Sequence, residues 1–134
     1  AGQALLDATH TSATDYKYSI FHQPNTKFPQ RAASMLGFSK EQIAPGLLVT
    51  VIGNTYAGAA IIGLTAVLDI AQPGDRILMV SFGSGAGSDA FAITVNDKIN
   101  QRRDLAPHTQ DYIARRTQID YATYARYRGK LTMK

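Results

Sequence analysis

The chain has 134 residues and a mass of 14.5 kDa, the size of one domain with a modest hydrophobic core. Its composition, with 45% hydrophobic and 18% charged residues, is typical of globular proteins and excludes a disordered or collagen-like chain. It contains no cysteine, which excludes disulfides, thiolate metal sites and a cysteine nucleophile within this polypeptide.

The formal net charge of +4 is concentrated in the last third of the chain. A basic tail attracts nucleotide phosphates, acidic proteins or nucleic acid, and net charge alone leaves these open beside the commoner explanation of a solvated helical surface. The basic residues of the tail are Arg102, Arg103, Arg115, Arg116, Arg126, Arg128, Lys130 and Lys134.

Residues 1–7 lack the basic and apolar segments of a signal peptide, which favours a cytoplasmic protein.

The first predicted unit is a strand, a loop and a helix. Residues 16–21 are aromatic and β-branched, which predicts a strand that ends before Pro24, because proline cannot donate to a sheet. From Thr26 the apolar residues recur at helical spacing. Asn25 is the predicted N-cap of this helix and Gly37 its predicted end.

Two apolar segments follow a linker at residues 38–46. Residues 47–52 form an apolar run that ends at a glycine. Residues 57–71 carry no charge before Asp69 and have no polar face, which predicts a helix that is buried on all sides. Such a helix of about 15 residues is too short for a bilayer, which needs about 20. A small domain has little material to cover it, so we expect a second polypeptide or a missing half.

A wide hairpin is predicted next. Residues 76–82 and 90–95 read as strands, and the glycine-rich residues 83–89 as the loop between them. Residues 108–127 are predicted to be helical around apolar and tyrosine side chains.

Strands and helices alternate along the chain, which predicts the α/β class. We predict a single domain over residues 1–134, with a basic helical tail at about 102–134.

Three polar clusters follow apolar strands or runs, and they contain His22, Asn54 and Ser84. Loops beyond the carboxyl ends of strands are where α/β folds place ligands, so we expect the clusters to converge. His22 is a candidate acid or base, although a histidine at a strand end is more often structural. Asn54 has a side-chain amide suited to an oxyanion, with helix capping as the commoner role.

The glycines around Ser84 would let the backbone approach a ligand closely, or they form a plain flexible hairpin. They do not form a P-loop, because the lysine and hydroxyl that follow such glycines are missing. Lys27 and Arg31 are four residues apart and would share one helix face, either for phosphate and carboxylate or as solvated cations. His10 and His108 have no partners at metal spacing, so no metal site is predicted.

Read together, these clusters resemble the C-terminal half of archaeal-type hydroxymethylglutaryl-CoA synthase in residue identity, order and spacing. The matching segments are FHQPNTKFP at 21–29, IGNTYAG at 52–58 and SFGSGAGSDAF at 81–91, and the ending DYATYARYRGK at 120–130 is also similar.

The resemblance implies a thiolase fold, in which two similar α/β halves stack with paired helices buried between sheets. This chain would then be the C-terminal half. It would contain a mixed sheet with a buried central helix, and the half as a whole would pack against an N-terminal half. The family condenses acetyl-CoA with acetoacetyl-CoA: a cysteine is acetylated, a glutamate removes a methyl proton, and a histidine donates and accepts a proton. The resemblance therefore implies an archaeal acyltransferase of the mevalonate pathway of isoprenoid biosynthesis, with coenzyme A thioesters as substrates and no separate cofactor.

By the same resemblance, His22 matches the catalytic histidine. Arg31, Asn54 and Ser84 match residues that contact the substrate, and Lys27 matches a CoA-binding residue.

The family's cysteine and glutamate belong to the N-terminal half, and this chain contains neither that half nor any cysteine. The resemblance therefore implies an N-terminal half or subunit that carries the nucleophile, and a chain that is inactive alone. It also implies a homo- or hetero-oligomer, including association with an acetoacetyl-CoA thiolase. The alternative is a non-catalytic acyl-CoA-binding or scaffolding module. A nucleic-acid binder built on the tail ranks last, and neither a nucleic acid nor a membrane is expected as a partner.

Overall fold

A three-stranded mixed sheet lies at the centre of the structure, a computed structural model that describes residues 1–130. Its strands are β1 (Tyr18–Phe21), β2 (Arg76–Val80) and β3 (Ala90–Thr94), in the order β1-β2-β3. β1 pairs parallel to β2, and β2 pairs antiparallel to β3. The last four residues of the predicted basic tail, 131–134, lie outside the described residues.

The helices are short, and 3₁₀ turns at Ala13–Asp15, Ala44–Gly46, Tyr56–Gly58 and Arg103–Leu105 connect several of them. In chain order they are α1 (Gly2–Thr9), α2 (Lys27–Met35), α3 (Lys40–Ile43), α4 (Val49–Ile52), α5 (Ala59–Leu68), α6 (Ile99–Arg102), α7 (Thr109–Ala114) and α8 (Tyr121–Tyr127).

Two apolar clusters cover the two faces of the sheet. Leu78 of β2 belongs to the cluster formed with α1, α2 and α3, whereas its neighbours Ile77 and Met79 belong to the cluster formed with α5. Successive side chains of a strand point to opposite faces, so a strand covered on both faces reads as a continuous apolar run. This explains why β2 was predicted correctly, and it confirms the α/β class with a mixed sheet.

Helix α5 packs one side against the sheet. Ala60 and Val67 are buried there, whereas Ile61 on the other side of the helix is 53% exposed. The sequence predicted this helix and indicated that all of its faces are apolar. Of its ten residues only Ile61 and Thr65 are exposed, so the helix is mostly buried and Ile61 is the apolar side chain of α5 left uncovered within residues 1–130.

Several sequence predictions need correction. The predicted linker contains α3, which Ser39 and Gln42 stabilise with a reciprocal capping box. The apolar run at residues 47–52, for which the sequence predicted neither helix nor strand, ends in the helical turn α4. The predicted helix over residues 108–127 is two helices, α7 and α8, with a break between them.

No helix within residues 1–130 combines the length and the apolar character needed to cross a membrane.

Candidate functional site

His22 lies one residue beyond β1 and continues its pairing with β2. Its backbone N–H donates to the carbonyl oxygen of Val80 over 2.9 Å, and its half-buried imidazole lies 5.8 Å from the ring of Phe82, centroid to centroid. The imidazole Nδ1 is buried and has no hydrogen-bond partner among the described residues. Buried polar atoms in native proteins are nearly always paired, so this nitrogen lacks, within the described residues, the partner that such an atom usually has.

Asn54 lies in the loop between α4 and α5. Its side-chain Oδ1 accepts the backbone N–H of Tyr56 over 2.8 Å, and Gly53 and Tyr56 both have positive φ, 75° and 53°. The side chain therefore shapes the turn that leads into α5, whose N-cap residue is Gly58. The Asn54 amide N–H group makes no hydrogen bond within the described part of the chain, which leaves a donor for an oxygen atom of a ligand.

Ser84 lies in the hairpin loop between β2 and β3, as predicted, and its side chain is exposed. The loop is closed by hydrogen bonds from Gly83 N to Gly87 O (2.9 Å) and from Ala86 N to Gly83 O (3.0 Å). The Ser88 hydroxyl also donates to the carbonyl oxygen of Ser81 over 2.8 Å. The loop is thus an ordered turn that presents Ser84.

Lys27 and Arg31 are exposed on α2, the helix that begins just after His22. Asn25 caps this helix as predicted, because its Oδ1 accepts the N–H groups of Lys27 (2.9 Å) and Phe28 (3.1 Å). Neither cation forms an ion pair with any residue in 1–130. Two free cations one helical turn apart suit a ligand that carries phosphate or carboxylate groups.

The parallel pairing of β1 and β2 places His22 and the Ser84 loop at the same edge of the sheet. Phe21 lies opposite Val80, so the chain leaves both strands side by side, and Phe82 then contacts the imidazole. Asn54 lies in the loop between α4 and α5 and does not follow a strand. None of the five predicted side chains hydrogen-bonds to another within the described residues.

Gln23 is the residue of this region that sequence analysis did not identify. Its side chain is only 3% exposed, and its amide hydrogen-bonds to backbone groups of Gly46, Leu48, Val49 and Ala59. These partners lie more than 20 residues away in sequence, so no local pattern separates Gln23 from the exposed polar residues around it.

A cavity of about 710 Å³ lies elsewhere, between α5 and the tail helices. Its walls include Ile62 and Leu68 of α5, Ile113 of α7 and the arginines Arg102 and Arg116, and none of the five predicted site residues lines it. Part of the α5 surface that the sheet leaves uncovered forms one wall. His22 and the Ser84 loop follow the paired ends of β1 and β2, so we place the candidate site there.

The titratable groups with shifted pKa values lie outside this edge. A hydrogen bond from the imidazole Nε2 of His108 to Asp104 Oδ1, 2.9 Å away, raises the pKa of His108. Burial raises the pKa of Tyr18, and a nearby Asp75 adds to the effect.

In residues 1–130, no group of three or more His, Cys, Asp or Glu side chains is placed to hold a metal ion.

The domain matches a known protein family. Residues 6–95 match the family described as 3-oxoacyl-[acyl-carrier-protein (ACP)] synthase III C terminal.

Among characterised proteins, the hydroxymethylglutaryl-CoA synthase of Thermococcus kodakarensis is 58% identical over 130 residues, which is 97% of this chain and 37% of that protein. The hydroxymethylglutaryl-CoA synthase of Pyrococcus horikoshii is 59% identical over 130 residues, again 97% of this chain and 37% of that protein. The chain therefore spans little more than a third of the length of these relatives.

Solved structures show the same fold. MvaS in complex with 3-hydroxy-3-methylglutaryl coenzyme A aligns over 97% of this chain and 40% of its own, with a TM-score of 0.74 and 22% identity. HMG_CoA synthase complexed with CoA aligns over 92% of this chain and 35% of its own, with a TM-score of 0.69 and 22% identity. The chain thus has a thiolase-like fold.

Proposed function

Because the chain belongs to the family of 3-oxoacyl-[acyl-carrier-protein] synthase III C-terminal domains, we propose that it is the C-terminal part of a hydroxymethylglutaryl-CoA synthase. The observation that carries the proposal is the 58% identity to such an enzyme over 97% of this chain. In the complete enzyme the reaction would be an acyl transfer that condenses acetyl-CoA with acetoacetyl-CoA.

The proposed chemistry divides between this chain and a missing part. A cysteine of the missing part takes the acetyl group from acetyl-CoA and releases CoA, and a glutamate there removes a methyl proton. The resulting carbanion attacks the ketone carbon of acetoacetyl-CoA, and water then cleaves the thioester to the cysteine. His22 exchanges the proton at the ketone oxygen, where the Asn54 amide N–H stabilises the negative charge that develops.

The remaining predicted residues would bind the substrate. Lys27 and Arg31 supply positive charge on one face of α2 for the phosphates of CoA and for a carboxylate. Ser84 presents its hydroxyl from the ordered loop beside Phe82, where it can contact the acyl group. Their exposure in this chain agrees with ligand contacts at the surface where the missing part would sit.

Exposed apolar side chains support the need for a second polypeptide segment. Phe28 near His22 is 65% exposed, Tyr56 beside Asn54 is 73% exposed, and Ile61 on α5 is exposed as well. Larger exposed apolar patches mark interaction sites, and we propose that these three side chains contribute to one. We therefore propose that an N-terminal half or subunit with the nucleophilic cysteine covers this surface, and that the chain alone is inactive.

The same proposal extends to the pathway, the location and the partners of the assembled enzyme. The assembled enzyme would act in the mevalonate pathway in the cytoplasm, as a homo- or hetero-oligomer that associates with an acetoacetyl-CoA thiolase. It would need no cofactor or metal besides its CoA thioester substrates, and neither nucleic acid nor a membrane is a proposed partner.

Co-expression tests the proposal. The chain is produced with the cysteine-bearing N-terminal part of the Thermococcus kodakarensis enzyme, and CoA release from acetyl-CoA is measured with acetoacetyl-CoA present. We expect the two polypeptides to co-purify and to turn over, whereas each alone, or the pair with that cysteine changed to alanine, is inactive. A stable pair that releases no CoA would overturn the proposal.

The absence of cysteine favours one alternative, a non-catalytic acyl-CoA-binding module. Calorimetry of the chain alone with acetoacetyl-CoA separates the two. An enzyme part would bind weakly until its partner is added, whereas a module would bind equally well with or without it.

A further inference from the structure

The Gln23 side chain uses its full hydrogen-bonding capacity in a buried position. Its Nε2 donates to the carbonyl oxygens of Gly46 (2.8 Å) and Ala59 (3.2 Å). Its Oε1 accepts the backbone N–H groups of Leu48 (2.7 Å) and Val49 (2.8 Å). An amide has two N–H donors and one oxygen with two lone pairs, so all of these groups are satisfied.

The partners of Gln23 frame the loop that carries Asn54. Leu48 and Val49 lie at the start of α4, and Ala59 is the first residue of α5. The loop at residues 53–58 runs between these two helices, so one amide ties the start of α4 and the start of α5, on either side of the loop, to the residue that follows His22. The distance between His22 and Asn54 therefore depends on this amide.

The surrounding backbone is fitted closely to the Gln23 amide. A Cβ atom on Gly63 would lie 3.1 Å from Gln23 Nε2 and 2.9 Å from the carbonyl oxygen of Gly46. Only glycine lets α5 approach the amide and its acceptor this closely. The arrangement thus needs both the glutamine and the glycine.

Glutamate is the most informative substitution for Gln23, because it keeps nearly the same shape and, when ionised, removes only the N–H donors. Its carboxylate would still accept from Leu48 and Val49, but it would face the carbonyl oxygens of Gly46 and Ala59 without a proton to share. Buried groups left without a partner are costly, and a buried charge is more so. Such a variant loses the hydrogen bonds to Gly46 and to Ala59 at the start of α5, and so loosens the segment that carries the Asn54 loop.

We infer that Gln23 is a positioning residue that fixes the Asn54 loop relative to His22, and this inference rests on the proposed function. Gln23 itself touches neither the substrate nor the reacting atoms. It acts through the alignment of the His22 imidazole with the Asn54 amide N–H. That alignment has to be accurate to about 1 Å or less.

The test compares Gln23→Glu with Gln42→Glu in the assembled enzyme. Gln42 is a matched control, because its Nε2 donates to the carbonyl oxygens of Ala13 (2.9 Å) and Tyr16 (2.7 Å), and its Oε1 accepts from Ser39 N (2.8 Å), away from His22. We expect Gln23→Glu to lower kcat by about 100-fold with KM changed by less than about threefold. Gln42→Glu should keep kcat within about twofold of the wild type. Equal kcat losses in the two variants would overturn the inference.

Hydrogen exchange on the chain alone gives a readout that needs no activity. Gln23→Glu should accelerate exchange of the amides at residues 48–59 and leave those of β2 unchanged, whereas Gln42→Glu should leave residues 48–59 unchanged. Unaltered exchange at 48–59 in Gln23→Glu would overturn the inference. If the assembled wild type is inactive, the proposed function fails, and the exchange comparison still decides whether Gln23 holds the Asn54 loop.

Discussion

A methyl group on Gly63 would lie 2.9 Å from the backbone oxygen of Gly46 and 2.9 Å from Cγ2 of Ile20. Cβ atoms in proteins essentially never approach other atoms this closely. Helix α5 therefore passes the 3₁₀ turn before α4 at a distance that only glycine permits. The contact joins the central helix, β1 and the segment that leads to Asn54.

We expect Gly63→Ala to destabilise the chain by about 1–3 kcal/mol, because backbone must move to admit the methyl group. Gly58→Ala is the matched control, since a Cβ there meets nothing within 4 Å and its φ of −72° suits alanine. That substitution should be neutral or stabilise by about 0.4–1 kcal/mol. Urea denaturation of both variants measures the difference, and equal stability would contradict the close approach.

Asn25→Ala should destabilise the chain by about 1 kcal/mol, because α2 loses the acceptor for its first N–H groups. Asn100→Ala, at an exposed position in α6, provides the comparison and should change stability by less than about 0.5 kcal/mol. Thermal denaturation checks both values. If Asn25→Ala is no less stable than Asn100→Ala, the cap contributes nothing.

Asp69→Ala should release the tail from α5. The Asp69 Oδ2 accepts the backbone N–H of Thr109 over 2.7 Å and so holds the start of α7. Hydrogen bonds to charged groups contribute about 1.5–3 kcal/mol, so we expect trypsin to cleave at Arg115 and Arg116 about tenfold faster. Asp97→Ala, an exposed carboxylate nearby, should leave the rate unchanged. Equal rates in the two variants would contradict the role of Asp69.

The His108–Asp104 pair predicts a pH dependence of the tail. The hydrogen bond from the His108 imidazole to the Asp104 carboxylate raises the pKa of His108 above its ordinary value of 6.5. A raised pKa in the folded state means that the pair stabilises the tail fully below that ordinary value and that the effect is lost as the pH rises through the raised pKa. NMR titration should show that Asp104→Asn lowers the pKa of His108, whereas Asp97→Asn does not. An unchanged pKa in Asp104→Asn would rule out the pair in solution.

The sequence predicted those elements whose signals are local. β2 is a continuous apolar strand, the glycines after it mark a hairpin loop, and Asn25 caps α2 from a neighbouring position. Because β1 and β2 pair in parallel, the position of His22 and the Ser84 loop at one sheet edge also follows from strand ends alone.

The elements that the sequence missed depend on contacts from distant residues. The β-branched run at residues 47–52 has no helical periodicity, but the Oε1 of Gln23 accepts the N–H groups at the start of α4 and completes a single helical turn. α3 is too short for a periodic pattern and is held by Ser39 and Gln42. Gln23 itself is defined by its partners, so its burial could not be inferred from its neighbours in sequence.

The central claim is that His22 serves as the acid-base residue of an assembled condensing enzyme, and a comparison of two histidine variants tests it most directly. The rate of CoA release is measured for His22→Asn and His10→Asn, each paired with the cysteine-bearing N-terminal part. His10 is an exposed residue with a positive φ at the end of α1, a conformation that asparagine tolerates. We predict that His22→Asn lowers kcat by about 10²–10⁴-fold, the usual contribution of general acid-base catalysis, and that His10→Asn retains the wild-type rate. A His22→Asn enzyme that condenses acetyl-CoA with acetoacetyl-CoA as fast as His10→Asn would contradict the account.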